Sequence, residues 1–232
     1  ARRTMSSSYG DASGPLNTSS LVSPFSPSVG GGGDAHFFEE AISFATVRSL
    51  LDGDSGHHAT PALRASSLSR AMKFLLASMT KGRDVSDLFP SVVKLVGSTD
   101  ATPETRRMVY MYLVHFADAT SETRELALLS VNSFQKDLAG ACEGVRALAL
   151  RVLSSIRVPD ILQIQILGAK KCSRDPSPHV RKCAASALPK LHARSLALDP
   201  SLAVTLIPVL QGMLLQEAAP TVLSAAVVAL GK

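Results

Sequence analysis

Four side chains in the second half of the chain are of types that bind zinc, namely Cys172, His179, Cys183 and His192. Structural zinc sites normally contain a close pair of ligands, such as CxxC, which fixes the tetrahedral geometry. The four residues are 7, 4 and 9 positions apart and include no such pair. Cys183 also lies at an apolar position of a predicted helix, where a free cysteine commonly packs in the core. The sequence therefore predicts no metal site and no cofactor.

Motifs that assemble a catalytic nucleophile with its base are missing from the sequence. It contains no GxSxG elbow, no GxxxxGK[ST] phosphate loop and no HExxH helix. The glycine run at 30–33 has neither the preceding strand nor the following lysine that phosphate binding requires. His57 and His58 lie in a glycine-containing loop and are expected to face solvent. We predict that the chain is not an enzyme and has no catalytic residues.

Basic side chains remain as candidates for a functional contact. Residues 140–194 carry 10 basic and 3 acidic side chains, whereas the whole chain has a net charge of +5. The charges have two possible roles: arginines that bridge neighbouring repeats, or a surface that binds anionic lipid headgroups or an acidic partner. Nucleic acid is not expected as a partner, because no aromatic side chains are interleaved with the basic ones. The candidate contact residues are Arg106, Arg107, Arg146, Arg181 and Lys182.

The segment 175–191 indicates how these basic residues are positioned. Apolar side chains fall at offsets 0, 3, 4, 7, 8 and 11 from Val180, which predicts a helix with one continuous apolar stripe. Arg181 and Lys182 fall off this stripe. The Asp175-Pro176 pair is expected to cap and open the helix.

The same pattern recurs along the chain and sets its fold class. Its copies start at Leu68, Thr105, Val145, Val180 and Val222, which are 37, 40, 35 and 42 residues apart. Helix-pair repeats of the HEAT and armadillo kinds have a period of roughly 40 to 47 residues. Each pair in such an array buries its apolar face against the next pair. The sequence therefore predicts an all-α fold, a HEAT/armadillo-like alpha solenoid.

Composition and turn residues predict the individual helices. The chain is 46% hydrophobic, 5% aromatic and has no Trp, which is typical of packed helices rather than strands. One helix is expected to begin at Asp84, and Asp199-Pro200 is expected to open a single helix over 201–215. A helix is also predicted to start at Ser121. Its buried face is expected to contain Leu126, Leu129, Phe134 and Leu138.

The chain divides into two predicted regions. Residues 1–35 are rich in Ser, Gly and Pro and are predicted to form a disordered lead-in, whereas residues 36–232 form the solenoid. Because the sequence has no run of 18 apolar residues, no signal-peptide core and no CxxC pair, we expect a cytosolic protein. The chain lacks an initiator Met and stops inside a repeat, so we expect it to be part of a longer protein.

Five segments, taken in order, resemble the trunk of the beta-adaptins. They are KGRDVSDLFPSVVKLV (81–96), RRMVYMYLVHFA (106–117), LALLSVNSFQKDL (126–138), VRALALRVLSSIRVP (145–159) and VRKCAASALPKLH (180–192). The parts ALLSVNSFQKDL, RVLSSIRVP and ALPKLH are most similar to the branch of the family that belongs to adaptor protein complex 3. The similarity covers about 47–232. One departure lies at 139–144, AGACEG, where the family often has an Asp-Pro-Asn-Pro turn.

The resemblance implies a non-enzymatic structural subunit of a heterotetrameric adaptor with delta, mu and sigma chains. Such a complex sorts cargo from Golgi or endosomal membranes to lysosomes, vacuoles or related organelles. The resemblance further implies an Arf-type GTPase near the N-terminal repeats, clathrin bound through regions beyond this segment, and peripheral association with anionic membranes from the cytoplasm. The alternative is a HEAT-repeat scaffold of another class, such as another coat subunit or a nuclear transport receptor.

Overall fold

The computed structural model describes residues 43–53, 60–98 and 101–231, and within these ranges the chain is helical and has no strands. The predicted disordered lead-in at 1–35 and the pair His57-His58 lie outside the described residues. The α-helices are α1 (Phe44–Asp52), α2 (Pro61–Thr80), α3 (Phe89–Val93), α4 (Pro103–Phe116), α5 (Ser121–Leu138), α6 (Glu143–Leu153), α7 (Leu162–Cys172), α8 (Pro178–Leu198), α9 (Pro200–Val204), α10 (Ile207–Gln216) and α11 (Pro220–Leu230).

The helices lie in two rows. In the front row, α2, α4, α6, α8 and α11 each pack against the next helix of the row. In the back row α1, α3, α5 and α7 do the same, and helices that follow each other in the chain pack across the rows, as α5 does on α6 and α7 on α8. Because each helix pair packs against the next pair, this arrangement is an alpha solenoid. The predicted fold class is confirmed.

All five copies of the repeated apolar pattern lie in the front row. Every stripe position of the copy in α8, from Val180 to Leu191, is buried, and so is every stripe position of the copy in α4. The copy in α11 differs at its last position, because Leu230 is 61% exposed. Leu230 lies in the final turn of α11, and no later helix within the described residues packs against it. The apolar stripe thus lies in the core of the helix stack.

Threonine side chains and prolines define where several helices begin. The side-chain oxygens of Thr60, Thr102 and Thr120 each accept a hydrogen bond from the backbone N–H three residues later. This contact satisfies one of the N–H groups that the first turn of a helix leaves unpaired. Pro61 and Pro103 occupy the first position of α2 and α4, where the missing N–H of proline costs nothing.

The prediction that a helix begins at Asp84 is wrong. The structure has a short 3-10 turn, Ser86–Leu88, followed by α3, which contains 5 residues. The Asp84 carboxylate accepts a hydrogen bond from the Ser86 N–H at 2.9 Å in the segment before that turn. Pro90 supplies no N–H and is accommodated only near the start of a helix, so the α-helical part begins immediately before it.

The single helix predicted over 201–215 is also wrong, since the chain forms α9 and α10 there. Pro208 lies in the first turn of α10. In an uninterrupted helix its ring would meet the Val204 carbonyl, and no N–H would be available to pair with that oxygen. The break between the two helices avoids this clash.

The buried face of α5 differs from the predicted one at Leu129, which is 67% exposed. Phe134 and Leu138 are buried as expected, and Leu126 is half-buried against the core. The residues that complete the face are Ala127, Ser130 and Val131. The buried Ser130 hydroxyl is satisfied, because it donates a hydrogen bond to the Ala127 carbonyl at 2.6 Å.

One buried polar group ties α6, α7 and α8 together. The Gln165 side chain is fully buried and donates to the Leu153 carbonyl at 2.7 Å and to the Ile156 carbonyl at 2.8 Å, just after α6 ends. Arg194 of α8 donates to the Gln165 side-chain oxygen and also to the Ile156 carbonyl, at 2.7 Å. Burial lowers the pKa of the Arg194 guanidinium. The network satisfies carbonyls that the end of α6 would otherwise leave buried and unpaired.

Candidate interaction surface

Arg146 of α6 connects two loops of the front row. Its Nε donates to Asp175 Oδ2 at 2.8 Å, and its Nη2 donates to Asp175 Oδ1 at 2.9 Å. Its Nη1 donates to the carbonyls of Gly140 and Ala141 at 2.9 and 2.8 Å. One guanidinium therefore joins the loop before α6 to the loop before α8.

Arg181 of α8 repeats this geometry one helix further along the row. Its Nε donates to Glu217 Oε2 at 2.6 Å, and its Nη2 donates to Glu217 Oε1 at 2.9 Å. Its Nη1 donates to the carbonyls of Asp175 and Pro176 at 2.8 and 2.9 Å. Asp175 thus contributes its carboxylate to one arginine and its backbone carbonyl to the next.

We refer to Arg146, Asp175, Arg181 and Glu217 as the Arg–carboxylate ladder. Its side chains are shielded from solvent: Arg146 and Asp175 are 13% and 9% exposed, and Arg181 and Glu217 are 20% and 6% exposed. Bidentate pairs between a guanidinium and a carboxylate are stronger and more directional than ordinary surface ion pairs. The geometry supports the bridging alternative for Arg146 and Arg181.

The ladder lowers the pKa of both carboxyl groups. The hydrogen bonds from Arg181 hold the pKa of Glu217 at about 2, with further support from the N–H groups of Ala219 and Ala218. The hydrogen bonds from Arg146 lower the pKa of Asp175, to which the Ser177 N–H also donates. Both groups therefore stay ionised across the physiological range of pH.

Asp175 does not cap α8 as predicted. The helix begins at Pro178, and the Asp175 carboxylate instead forms a tight turn by accepting the Ser177 N–H at 2.8 Å. The Ser177 hydroxyl donates to the Glu143 carboxylate at the start of α6, which adds a second link between the front-row helices. The carboxylate that a cap would have used is thereby available to Arg146.

Arg106 of α4 lacks an equivalent pair. The residue after the first stripe position is Arg181 in α8 and Leu223 in α11. Asp175 and Glu217 each lie six residues before it. Gly140 holds the same place before α6, so no carboxylate is presented to Arg106 there. No hydrogen bond or ion pair joins the Arg106 side chain to another residue within the described ranges, and α4 packs less extensively on α6 than α6 does on α8.

A groove opens at this junction between α4 and α6, with a volume of about 960 Å³. Arg106 and Arg107 line its α4 side and Arg151 lies on its α6 side, while Lys190 reaches it from α8. Two of the predicted contact residues therefore lie together in one depression. Lys182 lies apart from them, exposed on α8 beside a second depression of about 500 Å³ against α11.

The four zinc-type residues of the sequence do not assemble into a metal-binding group. Cys172 and Cys183 are buried in the core, and burial raises the pKa of the Cys172 thiol to about 11. His179 is exposed on the first turn of α8. Among the residues that the structure describes, no three His, Cys, Asp or Glu side chains lie close enough to hold a metal ion.

None of the described helices is long and apolar enough to cross a membrane.

Comparison with known proteins shows what the chain is similar to. Residues 59–232 match the family model described as the adaptin N terminal region. The chain is 46% identical over 159 residues to the AP-3 complex subunit beta of Dictyostelium discoideum, which covers 68% of the chain and 13% of that protein. It is 48% identical over 123 residues to the AP-3 complex subunit beta-2 of Mus musculus, covering 53% of the chain and 11% of that protein.

A third relative is the AP-3 complex subunit beta-1 of Homo sapiens, with 46% identity over 144 residues, 62% of the chain and 12% of that protein. The matches span only 11 to 13% of the length of these relatives. The resemblance to the beta-adaptins, and to their adaptor protein complex 3 branch, is confirmed.

Proposed function

The chain belongs to the adaptin N-terminal region family, and we propose that it forms a trunk segment of a non-enzymatic structural subunit in a heterotetrameric adaptor complex. The observation that carries the proposal is the 46% identity to a subunit named AP-3 complex subunit beta over 159 residues. Identity at this level over so long a segment supports a shared role as well as a shared fold. We assign the protein to vesicle-mediated transport, as the beta-type subunit of such a complex.

The architecture supports a role in assembly. Two rows of helices expose long surfaces on which separate partners can bind at separate repeats. Apolar side chains are exposed on the last two helices, where Leu215 of α10 is 86% exposed and Val227 and Val228 of α11 are 59% and 57% exposed. Exposed apolar side chains that lie close together are typical of surfaces that contact another protein or another part of the same protein.

We propose delta, mu and sigma chains as the partners within the complex. An Arf-type GTPase near the N-terminal repeats, and clathrin bound through regions outside this segment, are proposed from the resemblance alone. The proposed location is the cytoplasmic face of Golgi, endosomal or coated-vesicle membranes. The cargo would be sorted towards lysosomes, vacuoles or related organelles.

The candidate basic residues divide into two groups by their surroundings. We propose that Arg146 and Arg181 hold neighbouring repeats together, since each donates four hydrogen bonds within the protein. Arg106, Arg107 and Lys182 have no carboxylate partner among the described residues and remain for contact with an anionic partner or membrane surface. The two groups make different predictions, because removal of a bridge lowers stability and removal of a surface charge does not.

Affinity purification of the tagged full-length protein from its own cells, followed by mass spectrometry, tests the proposal. We expect small adaptor chains and a second large chain to co-purify in equal amounts. A matched variant, Leu188→Asp, disrupts the front row and should lose these partners. Recovery of a nuclear-transport cargo or of a phosphatase catalytic subunit, with no adaptor chains, would show that the protein is a HEAT scaffold of another class.

A further inference from the structure

The groove between α4 and α6 carries positive charge that nothing in its lining compensates. Its described lining residues include Arg106, Arg107, Arg151 and Lys190 but no Asp or Glu. Arg107, Arg151 and Lys190 are exposed, and Arg106 is half-buried. A concave surface lined by one sign of charge focuses its field and attracts ligands of the opposite sign.

The floor of the groove is apolar. Met111 of α4 is 58% exposed there, although it lies in the middle of a helix whose other apolar side chains are largely buried. Val114 and Leu148 are half-buried, so one side of each packs on the core while the other side lines the groove. A ligand that covered this floor would remove apolar surface from water, which favours binding.

The position of the groove follows from the break in the Arg–carboxylate ladder. At the α6–α8 and α8–α11 junctions, a carboxylate from the loop before the second helix pairs with an arginine of the first. At the α4–α6 junction the equivalent position is Gly140, so Arg106 has no carboxylate partner among the described residues, and α4 packs less extensively on α6 than α6 does on α8. A carboxylate supplied from outside would complete the pattern that the protein forms internally at the next two junctions.

We propose that this groove binds an acidic amphipathic helix of a partner protein. The apolar face of that helix would lie on Met111, Val114 and Leu148, and its carboxylates would pair with Arg106, Arg107, Arg151 and Lys190. A helix in a groove between two helices is a common mode of peptide recognition. A groove of about 960 Å³ can receive the side chains of a peptide helix, which favours a peptide over the flat surface of a bilayer.

Fluorescence anisotropy with a designed probe tests the proposal. The probe is a fluorescein-labelled peptide of about 16 residues with Leu at i, i+3, i+4 and i+7 and Glu elsewhere. A peptide with Lys in place of every Glu serves as its control. We expect the acidic peptide alone to bind the chain and the affinity to fall as salt is added. Absence of binding at low salt would overturn the proposal.

Matched variants locate the binding site. The double variant Arg107→Glu/Arg151→Glu should bind the acidic peptide roughly tenfold more weakly or worse, because two attractive contacts become repulsive. Arg83→Glu/Arg157→Glu changes the net charge by the same amount at exposed positions outside the groove and should bind normally. Met111→Gln tests the floor without changing charge. Equal loss of affinity in the groove and control variants would show that only net charge matters and would overturn the proposal.

Cys142 provides a second readout, since it lines the groove and is exposed while Cys172 and Cys183 are buried. Bound peptide should slow the reaction of Cys142 with a thiol reagent, and unchanged reactivity at saturating peptide would place the peptide elsewhere.

Vesicles containing phosphatidylserine test the competing ligand. If the chain bound these vesicles through Arg107 and Arg151 but did not bind the peptide, the groove would be a membrane contact and the proposal would be wrong.

Discussion

Arg181 and Glu217 form a bidentate ion pair although they lie 36 positions apart in the chain. Arg181 belongs to a front-row helix, and Glu217 directly follows α10, three residues before the next helix of that row begins at Pro220. Only 20% of the arginine side chain and 6% of the glutamate side chain are exposed. The pair therefore fixes the distance between two successive repeats.

The first prediction is a measurable coupling between these two side chains. Arg181→Ala and Glu217→Gln should each lower the free energy of unfolding, and a double-mutant cycle should give a coupling of about 1 to 2 kcal/mol, since charge-assisted hydrogen bonds are lost with either partner. Urea denaturation checks this value. Binding to anionic liposomes should be unchanged in Arg181→Ala. Loss of liposome binding with normal stability would instead give Arg181 a membrane role.

The second prediction concerns the stability of the folded chain at acidic pH. Because the pKa of Glu217 falls from 4.5 to about 2 on folding, the pair stabilises the folded state fully above the unfolded value. The stabilisation is lost as the pH falls from 4.5 to about 2, and the lowered pKa of Asp175 adds to the loss. Urea titrations between neutral pH and about pH 3 should therefore show the advantage of the wild-type chain over Glu217→Gln shrinking below about pH 4.5. A constant difference would contradict the pairing.

The third prediction tests the front-row stripe. Leu188→Asp should unfold its repeat, because Leu188 is 2% exposed and an unpaired carboxylate in the core costs several kcal/mol. Leu215→Asp is the matched control, since Leu215 is 86% exposed and should tolerate the same change. Thermal unfolding followed by circular dichroism compares them. Equal melting curves for the two variants would show that Leu188 is not a core residue.

The fourth prediction concerns the polar network at the end of α6. Gln165→Leu should lower the free energy of unfolding by about 1 to 3 kcal/mol, because the Leu153 carbonyl loses its donor and the Arg194 guanidinium loses an acceptor while little volume changes. Gln163→Leu changes an exposed glutamine of the same helix and should have little effect. Equal effects in urea denaturation would mean that the network contributes nothing.

The sequence predicted the rows because their signal is local. Apolar spacing decides which side of a helix is buried, so the stripe was correct in α4 and in α8, down to Cys183 and Leu188, and failed in α11 at Leu230. Helix breaks were predicted less well, since whether Pro90 or Pro208 starts a helix, bends it or splits it depends on the neighbours that receive the freed carbonyls.

Contacts between distant residues could not be derived from the same pattern. The arginines of the ladder were evident as a repeated feature, but their partners lie 29 and 36 positions away in loops whose geometry is set by packing. Asp175 had a plausible local role as a helix cap, and that role concealed its tertiary one. The groove is harder still to predict, because it depends on how closely α4 and α6 pack, which no local pattern sets.

The absence of an ion pair between α4 and α6 also has a mechanical consequence. Where guanidinium and carboxylate lock successive repeats, those repeats must turn as one block, because rotation would pull two directional hydrogen bonds out of line. At the junction beside Gly140 no such lock resists rotation. We expect this joint to be more compliant than the two joints that the ladder locks.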